Sequence, residues 1–154
     1  MVVMEHISAQ GLDEVRAAIA QLVEAGRVEA GDIARLRGLI ADAAGLTRGE
    51  VEGLFQIERT AQEKSPDWVA FFVDCVTDHL VWQQRPTGAV TSTQAEWLLV
   101  QADACRSVAA FAALVNVLAE ADRVPAWLPA AVRGRAAQWP DLAGALRARH
   151  AVAA

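Results

Sequence analysis

The sequence predicts an all-α protein, and three observations carry that prediction. Hydrophobic residues make up 54% of the 154 residues but aromatic residues only 6%, because alanine and valine supply much of the apolar content. Alanine has the highest helix propensity of all residues. Apolar residues recur at helical spacing, whereas no segment shows the alternation typical of a β-strand. We therefore expect one domain over residues 1–154, a compact bundle of about seven to eight helices, with residues 1–10 and 150–154 frayed.

The most apolar long stretch, residues 65–82, is predicted to be the central buried helix. Ser65 can cap it, Pro66 suits a first helical position, and Asp67 complements the positive end of the helix dipole. Apolar side chains then occupy almost every side, which is typical of a helix buried on several faces. This helix is the expected hub of the bundle.

Three helices are predicted before this hub. The first covers roughly residues 12–24 and ends at Gly26, and the second covers residues 30–43 and ends at Gly45, because glycine accepts the left-handed conformation of a helix C-cap. The third begins at Thr47, where Thr47 and Glu50 have the spacing of a capping box.

Four helices are predicted after the hub and the loop of residues 83–88. The fifth begins at a second capping box, Thr91 with Gln94, and the sixth begins at Ser107. The seventh covers about residues 130–138, and a short eighth follows from residue 140. The order of these elements places every candidate functional residue on a helix or on a turn between helices.

Three of the turns share a pattern of a glycine, an apolar residue shortly afterwards and a new helix. They begin at Gly26, Gly45 and Gly88. Paired EF-hands have a similar outline, but the alternating Asp and Asn residues of the calcium loop are missing. The simplest interpretation is that good turns recur, and a repeated unit is the alternative.

Charge and cysteine content exclude several classes of protein. The net charge of -5 and the pI of about 5.1 disfavour nucleic acid as a partner, because phosphate binding needs clustered Lys and Arg. Cys75 and Cys105 have no paired spacing, which favours a reducing compartment. We find neither a secretory signal pattern nor an apolar run long enough for a membrane span, so we expect a cytoplasmic protein.

The hub carries two side-chain pairs that have chemical potential. Asp74 and Asp78 project from one face and can bind a cation, although a polar stripe facing solvent or arginines is the simpler interpretation. Cys75 and His79 have a spacing that can hold zinc, but a zinc site needs two further ligands and the surrounding residues indicate core. No serine lies in a nucleophile-elbow pattern, and we therefore do not expect an enzyme.

Two of the five tryptophans adjoin prolines near the C-terminus. Tryptophan is enriched at interfaces, and we expect Trp127 and Trp139 to be partly exposed. Together with Leu128 and Val132 they are predicted to form a docking or self-association surface.

The ten residues from Ala41 to Glu50 lie between two predicted helices and read ADAAGLTRGE. This turn resembles the one in the TerB-like helical domain of tellurite-resistance proteins and of the N-terminus of a DnaJ-type co-chaperone. The segment from Gly88 to Thr91 is similar to a second copy. The resemblance implies a helical interaction or stress-response module and a role for Asp42 and Glu50 in divalent-metal binding, although the family's adjacent Asp-Gly is absent.

The leading hypothesis is a non-enzymatic, TerB-like interaction module that binds a protein partner or itself and needs no cofactor. The alternative is a divalent-metal-binding protein. Its candidate ligands are the carboxylates Asp42, Glu50, Asp74 and Asp78.

Overall fold

The computed structural model describes the backbone of residues 2–153 and the side chains of residue 11 and residues 13–151. Over these residues the all-α prediction is confirmed. The eight α-helices are α1 Val2–Ala25, α2 Ala30–Ala43, α3 Arg48–Thr60, α4 Trp68–Thr77, α5 Ser92–Cys105, α6 Val108–Glu120, α7 Leu128–Gln138 and α8 Pro140–Ala153. Helix therefore covers residues 2–10 and 150–153, which were expected to fray, whereas Met1 and Ala154 lie outside the described residues.

Contacts divide the chain into two units, Met1–Cys75 and Val76–Ala154. The chain passes from one unit to the other within α4, so no linker separates them. The single-domain organisation stays a prediction. None of the helices in the described part of the chain combines the length and apolar character that a bilayer crossing needs.

In unit 1, α1 packs against both α2 and α3. The apolar stripe of each helix supplies the core, with Val15 from α1, Leu36 from α2 and Leu54 from α3 all buried. Phe55 and Phe72 meet edge to face with ring centroids 4.9 Å apart, a preferred geometry for aromatic pairs. Helical periodicity therefore positions α1 and α3 side by side, and the candidate site lies between them.

No strand was predicted, but the structure contains one small parallel sheet of two strands. Residues Arg27–Val28 form β1 and residues Glu63–Lys64 form β2, which pair in parallel, with Val28 opposite Lys64. Each strand follows the end of a helix, where backbone groups have lost their helical partners and the two segments can pair with each other.

The hub helix is shorter than predicted. It begins as α4 at Trp68, because residues 66–67 form a turn in which Ser65 accepts a hydrogen bond from the backbone N–H of Trp68 (2.9 Å). After Thr77 it widens into a π-helical turn, Asp78–Trp82, in which the N–H of Gln83 reaches the carbonyl of Asp78 (2.8 Å). The predicted burial is confirmed for most of its apolar side chains.

A buried polar group joins three elements of unit 1. The carboxylate oxygen Oε1 of Glu58 accepts from the ammonium of Lys64 (2.8 Å) and from the indole N–H of Trp68 (2.9 Å). The Lys64 ammonium also donates to the backbone carbonyl of Glu58 (2.9 Å). Removing any one member would leave a buried polar group without this partner.

Unit 2 contains the end of α4, the π-helical turn and α5 to α8, and alanine, leucine, valine and aromatic side chains supply most of its core. Phe111 of α6 meets Trp139 edge to face at 6.4 Å, and α6 packs against α8. The guanidinium of Arg135 donates two hydrogen bonds to Asp103 (2.9 and 2.7 Å), and these hydrogen bonds raise the pKa of Arg135 above its ordinary value.

The two units contain a repeated segment, residues 26–75 and residues 88–138. In each, a glycine of positive φ precedes a helix of 14 residues (α2 and α5), followed by a helix of 13 residues (α3 and α6), an extended stretch and a further helix. The N–H of Gln62 bonds the carbonyl of Gly26 (2.9 Å), just as the N–H of Asp122 bonds that of Gly88 (2.7 Å).

The correspondence extends to burial. Residues 61–70 and 121–130 show the same succession of buried, half-buried and exposed positions. Gly26 and Gly88 thus occupy equivalent turns, but the turn at Gly45 corresponds to the shorter connection at Arg106 and Ser107. Of the three similar turns in the sequence, two belong to a repeated unit and one is a different helix connection.

Candidate functional site

A groove of about 380 Å³ lies between α1 and α3 in unit 1. It is open, because most of its lining residues are exposed. The lining residues are Arg16, Ile19, Ala20, Val23, Glu24, Gly49, Glu50 and Gln56. Residues of α1, three of them aliphatic, form one wall, and the first turn of α3 together with Gln56 forms the other.

Gly53 allows the two helices to approach closely below this groove. A Cβ atom at residue 53 would lie 2.7 Å from Cγ2 of Ile19, which is closer than real Cβ atoms come. The glycine therefore permits a separation of α1 and α3 at this point that a larger residue would not allow without a shift of Ile19.

Glu50 brings a carboxylate to the groove because it belongs to the capping box of α3. Its Oε2 accepts from the backbone N–H of Thr47 (2.9 Å), while the Thr47 hydroxyl accepts from the N–H of Glu50 (3.4 Å). The capping box predicted from the sequence is confirmed. It holds the Glu50 side chain in place, and residue 50 is only 2% exposed.

The second carboxylate oxygen of Glu50 is a buried acceptor that no donor among the described residues reaches. Among the side chains that the structure describes, Arg16 brings its Nε to 3.8 Å from Oε1, beyond hydrogen-bond distance. The Arg16 side chain is 61% exposed. A buried acceptor without a donor costs about 1–3 kcal/mol, and an exposed arginine at this distance offsets little of that cost.

The four carboxylates predicted for metal binding are not gathered into one site. Glu50 is buried in the groove wall, while Asp42, Asp74 and Asp78 are exposed. In the described part of the chain, no three His, Cys, Asp or Glu side chains lie where they could hold a metal ion together. Cys75 and His79 are buried, and the ring of His79 meets that of Trp97 at 6.1 Å.

The predicted docking surface near the C-terminus lies mostly in the core of unit 2. Leu128, Val132 and Trp139 are buried, and only Trp127 is substantially exposed, at 39%. The expectation that Trp139 is partly exposed is therefore wrong, because its ring packs against Phe111.

Trp82, at 44% exposed, is the tryptophan that sequence reasoning missed. Its indole N–H donates to Oε1 of Glu120 (2.9 Å), and Oε2 of Glu120 accepts from the amide of Asn116 (2.9 Å). Asn116 also donates to the Thr77 hydroxyl (2.8 Å). Trp82 is the last residue of the π-helical turn, and no sequence signal predicted that turn.

The groove itself was also missed. Glu50 was selected for its cap and for the TerB-like resemblance, but Arg16 lies on another helix and far away in the sequence, so spacing alone could not pair them. Comparisons with protein families, with characterised proteins and with solved structures find no match for this chain.

Proposed function

We propose that the chain is a non-enzymatic helical module, of the TerB-like interaction or stress-response type, that binds a protein partner or a second copy of itself. The observation that carries this proposal is the open groove between α1 and α3, in which aliphatic side chains stand beside a buried acceptor without a donor. Binding sites combine apolar walls with a few placed polar groups, and this groove has both. The turn from Ala41 to Glu50, which resembles the TerB-like family, ends at the groove wall.

Exposed aromatic side chains of unit 2 support the self-association form of the proposal. Trp82 and Trp127 are both more than a third exposed, and tryptophan contributes strongly where it becomes buried in an interface. Trp127 is the exposed member of the surface predicted from the sequence.

Two measurements on the full chain test the proposal. Sedimentation over a wide concentration range reports self-association, and we expect Trp127→Ala and Trp82→Ala each to weaken it, while Glu96→Ala, an exposed polar control on α5, leaves it unchanged. Selection from a random peptide library displayed on phage reports partner binding. A monomer at every concentration, together with no enriched peptide, would contradict the proposed function.

The alternative, divalent-metal binding by Asp42, Glu50, Asp74 and Asp78, stays a prediction from the sequence. Thermal melts with Mg²⁺, Ca²⁺, Mn²⁺ and Zn²⁺ test it, because an ion that binds the folded state raises Tm by mass action. A Tm that stays constant with all four ions removes this alternative.

A further inference from the structure

The groove between α1 and α3 has a chemistry that restricts what it can bind, and this inference rests on the proposed interaction function. Oε1 of Glu50 is an acceptor on a carboxylate group that is held rigidly by the cap of α3. A ligand that donates a hydrogen bond to it would satisfy a group that the described residues leave without a donor.

Charge favours a cationic donor over a neutral one. Hydrogen bonds to a carboxylate from a cation are shorter and roughly twice as strong as neutral ones. The surrounding chain is also acidic, since residues 1–77 carry 13 acidic and 7 basic side chains. A field of this sign attracts a positively charged ligand and raises its rate of association.

The walls favour a cation with an apolar stem. Ile19, Ala20 and Val23 line the groove beside Glu50. Arginine can lay its aliphatic stem along such a wall while its guanidinium reaches the carboxylate. Its planar fork of donors suits a fixed carboxylate better than the single ammonium of lysine.

Arg16 already places a positive charge near Oε1 of Glu50, although not within hydrogen-bond distance. Its guanidinium stops at 3.8 Å and remains largely exposed. The Glu50 side chain is 0% exposed, so an incoming guanidinium reaches Oε1 by displacing Arg16, which lines the groove and comes no closer than 3.8 Å to that oxygen. Arg16 would then act as an internal competitor for the ligand.

We propose that this groove binds an arginine side chain, presented by a partner peptide with apolar neighbours, and that its guanidinium replaces Arg16 beside Glu50.

Two synthetic peptide libraries test the proposal on the full chain. Both have random flanking positions, and the central residue is arginine in one and citrulline, its neutral isostere, in the other. We expect the arginine library to bind at least about tenfold more tightly, because the charge-assisted hydrogen bond is lost with citrulline.

Single substitutions test whether the preference for arginine depends on the groove. Glu50→Gln keeps an acceptor for the Thr47 N–H but loses the charge, and we expect it to abolish the preference for arginine. Glu63→Gln removes an exposed charge of unit 1 that does not line the groove and serves as the matched control, with the preference retained. Arg16→Ala should tighten arginine binding several-fold, whereas Arg35→Ala, which does not line this groove, should leave it unchanged.

Each other outcome has a definite meaning. Equal binding of the two libraries, or a preference that survives Glu50→Gln in a variant that melts like the wild type, overturns the arginine inference and leaves the interaction function standing. No binding of either library also overturns the inference. The proposed function then fails only if sedimentation and the phage selection are negative as well.

Discussion

The repeated segments of the two units share one helical frame but carry different side chains at its buried positions. In residues 26–75 the frame encloses the polar group of Glu58, Lys64 and Trp68. At the corresponding places the segment 88–138 has three apolar residues, Leu118, Val124 and Leu128. The same backbone arrangement therefore accommodates a hydrogen-bonded ionic group in one segment and three apolar side chains in the other, and the polar group is not what specifies the fold.

A second difference concerns the first turn of the 13-residue helices. Glu50 of α3 is replaced by Ala110 in α6, although both helices have a hydroxyl cap, from Thr47 and Ser107. The buried carboxylate that lines the groove of unit 1 therefore has an alanine as its counterpart in unit 2. Unit 2 instead has exposed apolar side chains, Trp82, Val100 and Trp127. The comparison teaches that the repeat supplies a scaffold, and that binding features differ between its copies.

The largest loss of stability is expected when Glu58 alone, of the three residues in the buried polar group, is replaced by an apolar residue. Glu58→Leu copies residue 118 but removes the carboxylate that accepts from the Trp68 N–H and from the Lys64 ammonium, which keeps its hydrogen bond to the backbone carbonyl of residue 58. The change should lower the free energy of unfolding by about 3 kcal/mol. Glu58→Leu combined with Lys64→Val should be less damaging than the single change. Urea unfolding measures both, and strictly additive losses would show that the three side chains do not act as a unit.

The equivalent glycines Gly26 and Gly88 should respond differently to alanine. Both have positive φ, at 73° and 83°, so each Gly→Ala change costs about 1 kcal/mol. At residue 88 the new Cβ would also lie 2.6 Å from Oδ2 of Asp122, whereas nothing lies within 4 Å at residue 26. We expect Gly88→Ala to cost about 2 kcal/mol.

Thermal or urea unfolding separates the two contributions. In an Asp122→Ala background, Gly88→Ala should lower the free energy of unfolding by no more than Gly26→Ala does. If the difference persists there, the contact with Asp122 is not its cause.

Gly53→Ala makes α3 resemble α6, which has Ala113 at this position. Because the Cβ would press on Ile19, we expect a net loss of about 1 kcal/mol after the gain in helix propensity. Gly38→Ala is the matched control on α2, where nothing lies within 4 Å, and it should stabilise by about 0.5–1 kcal/mol. If Gly53→Ala and Gly38→Ala both raise the free energy of unfolding measured with urea, α1 and α3 are not in close contact at residue 53.

The smallest effect is expected from Glu50→Gln. Glutamine already serves this role in α5, where Gln94 accepts from the N–H of Thr91 (2.9 Å), so stability should change by less than about 0.5 kcal/mol. Thr47→Ala, which removes the cap itself, should cost about 1 kcal/mol in the same unfolding measurement. A loss for Glu50→Gln as large as that for Thr47→Ala would mean that the charge of Glu50 stabilises the fold.

Local signals in the sequence predicted the parts of the fold that depend on local interactions. The capping boxes at Thr47 and Thr91 were visible because their partners lie three residues away. The pairing of β1 with β2 was not visible in the sequence, because it joins backbone groups of distant residues and needs no characteristic side chains. Trp139 was misjudged for the same reason, since its neighbouring proline is local but its partner Phe111 is not.

In the candidate site, too, features set by neighbours in the sequence could be predicted and features set by distant residues could not. The role of Glu50 as a cap could be predicted, but its burial and its orphan oxygen depend on α1 lying against α3. Of the side chains predicted for a docking surface, Trp127 alone is well exposed. The four carboxylates predicted for metal binding await the melts with divalent ions.

The position of the boundary between the units, within α4, matters for how the chain is made. Domains generally fold as the ribosome releases them, N-terminal part first. When residues up to Cys75 have emerged, α4 still ends in carbonyl groups that need the following turn, and so short a helix is marginal by itself. The last helix of unit 1 can therefore be completed only after the first residues of unit 2 have been synthesised, and a fragment that stops at Cys75 should be a poor substitute for the whole chain.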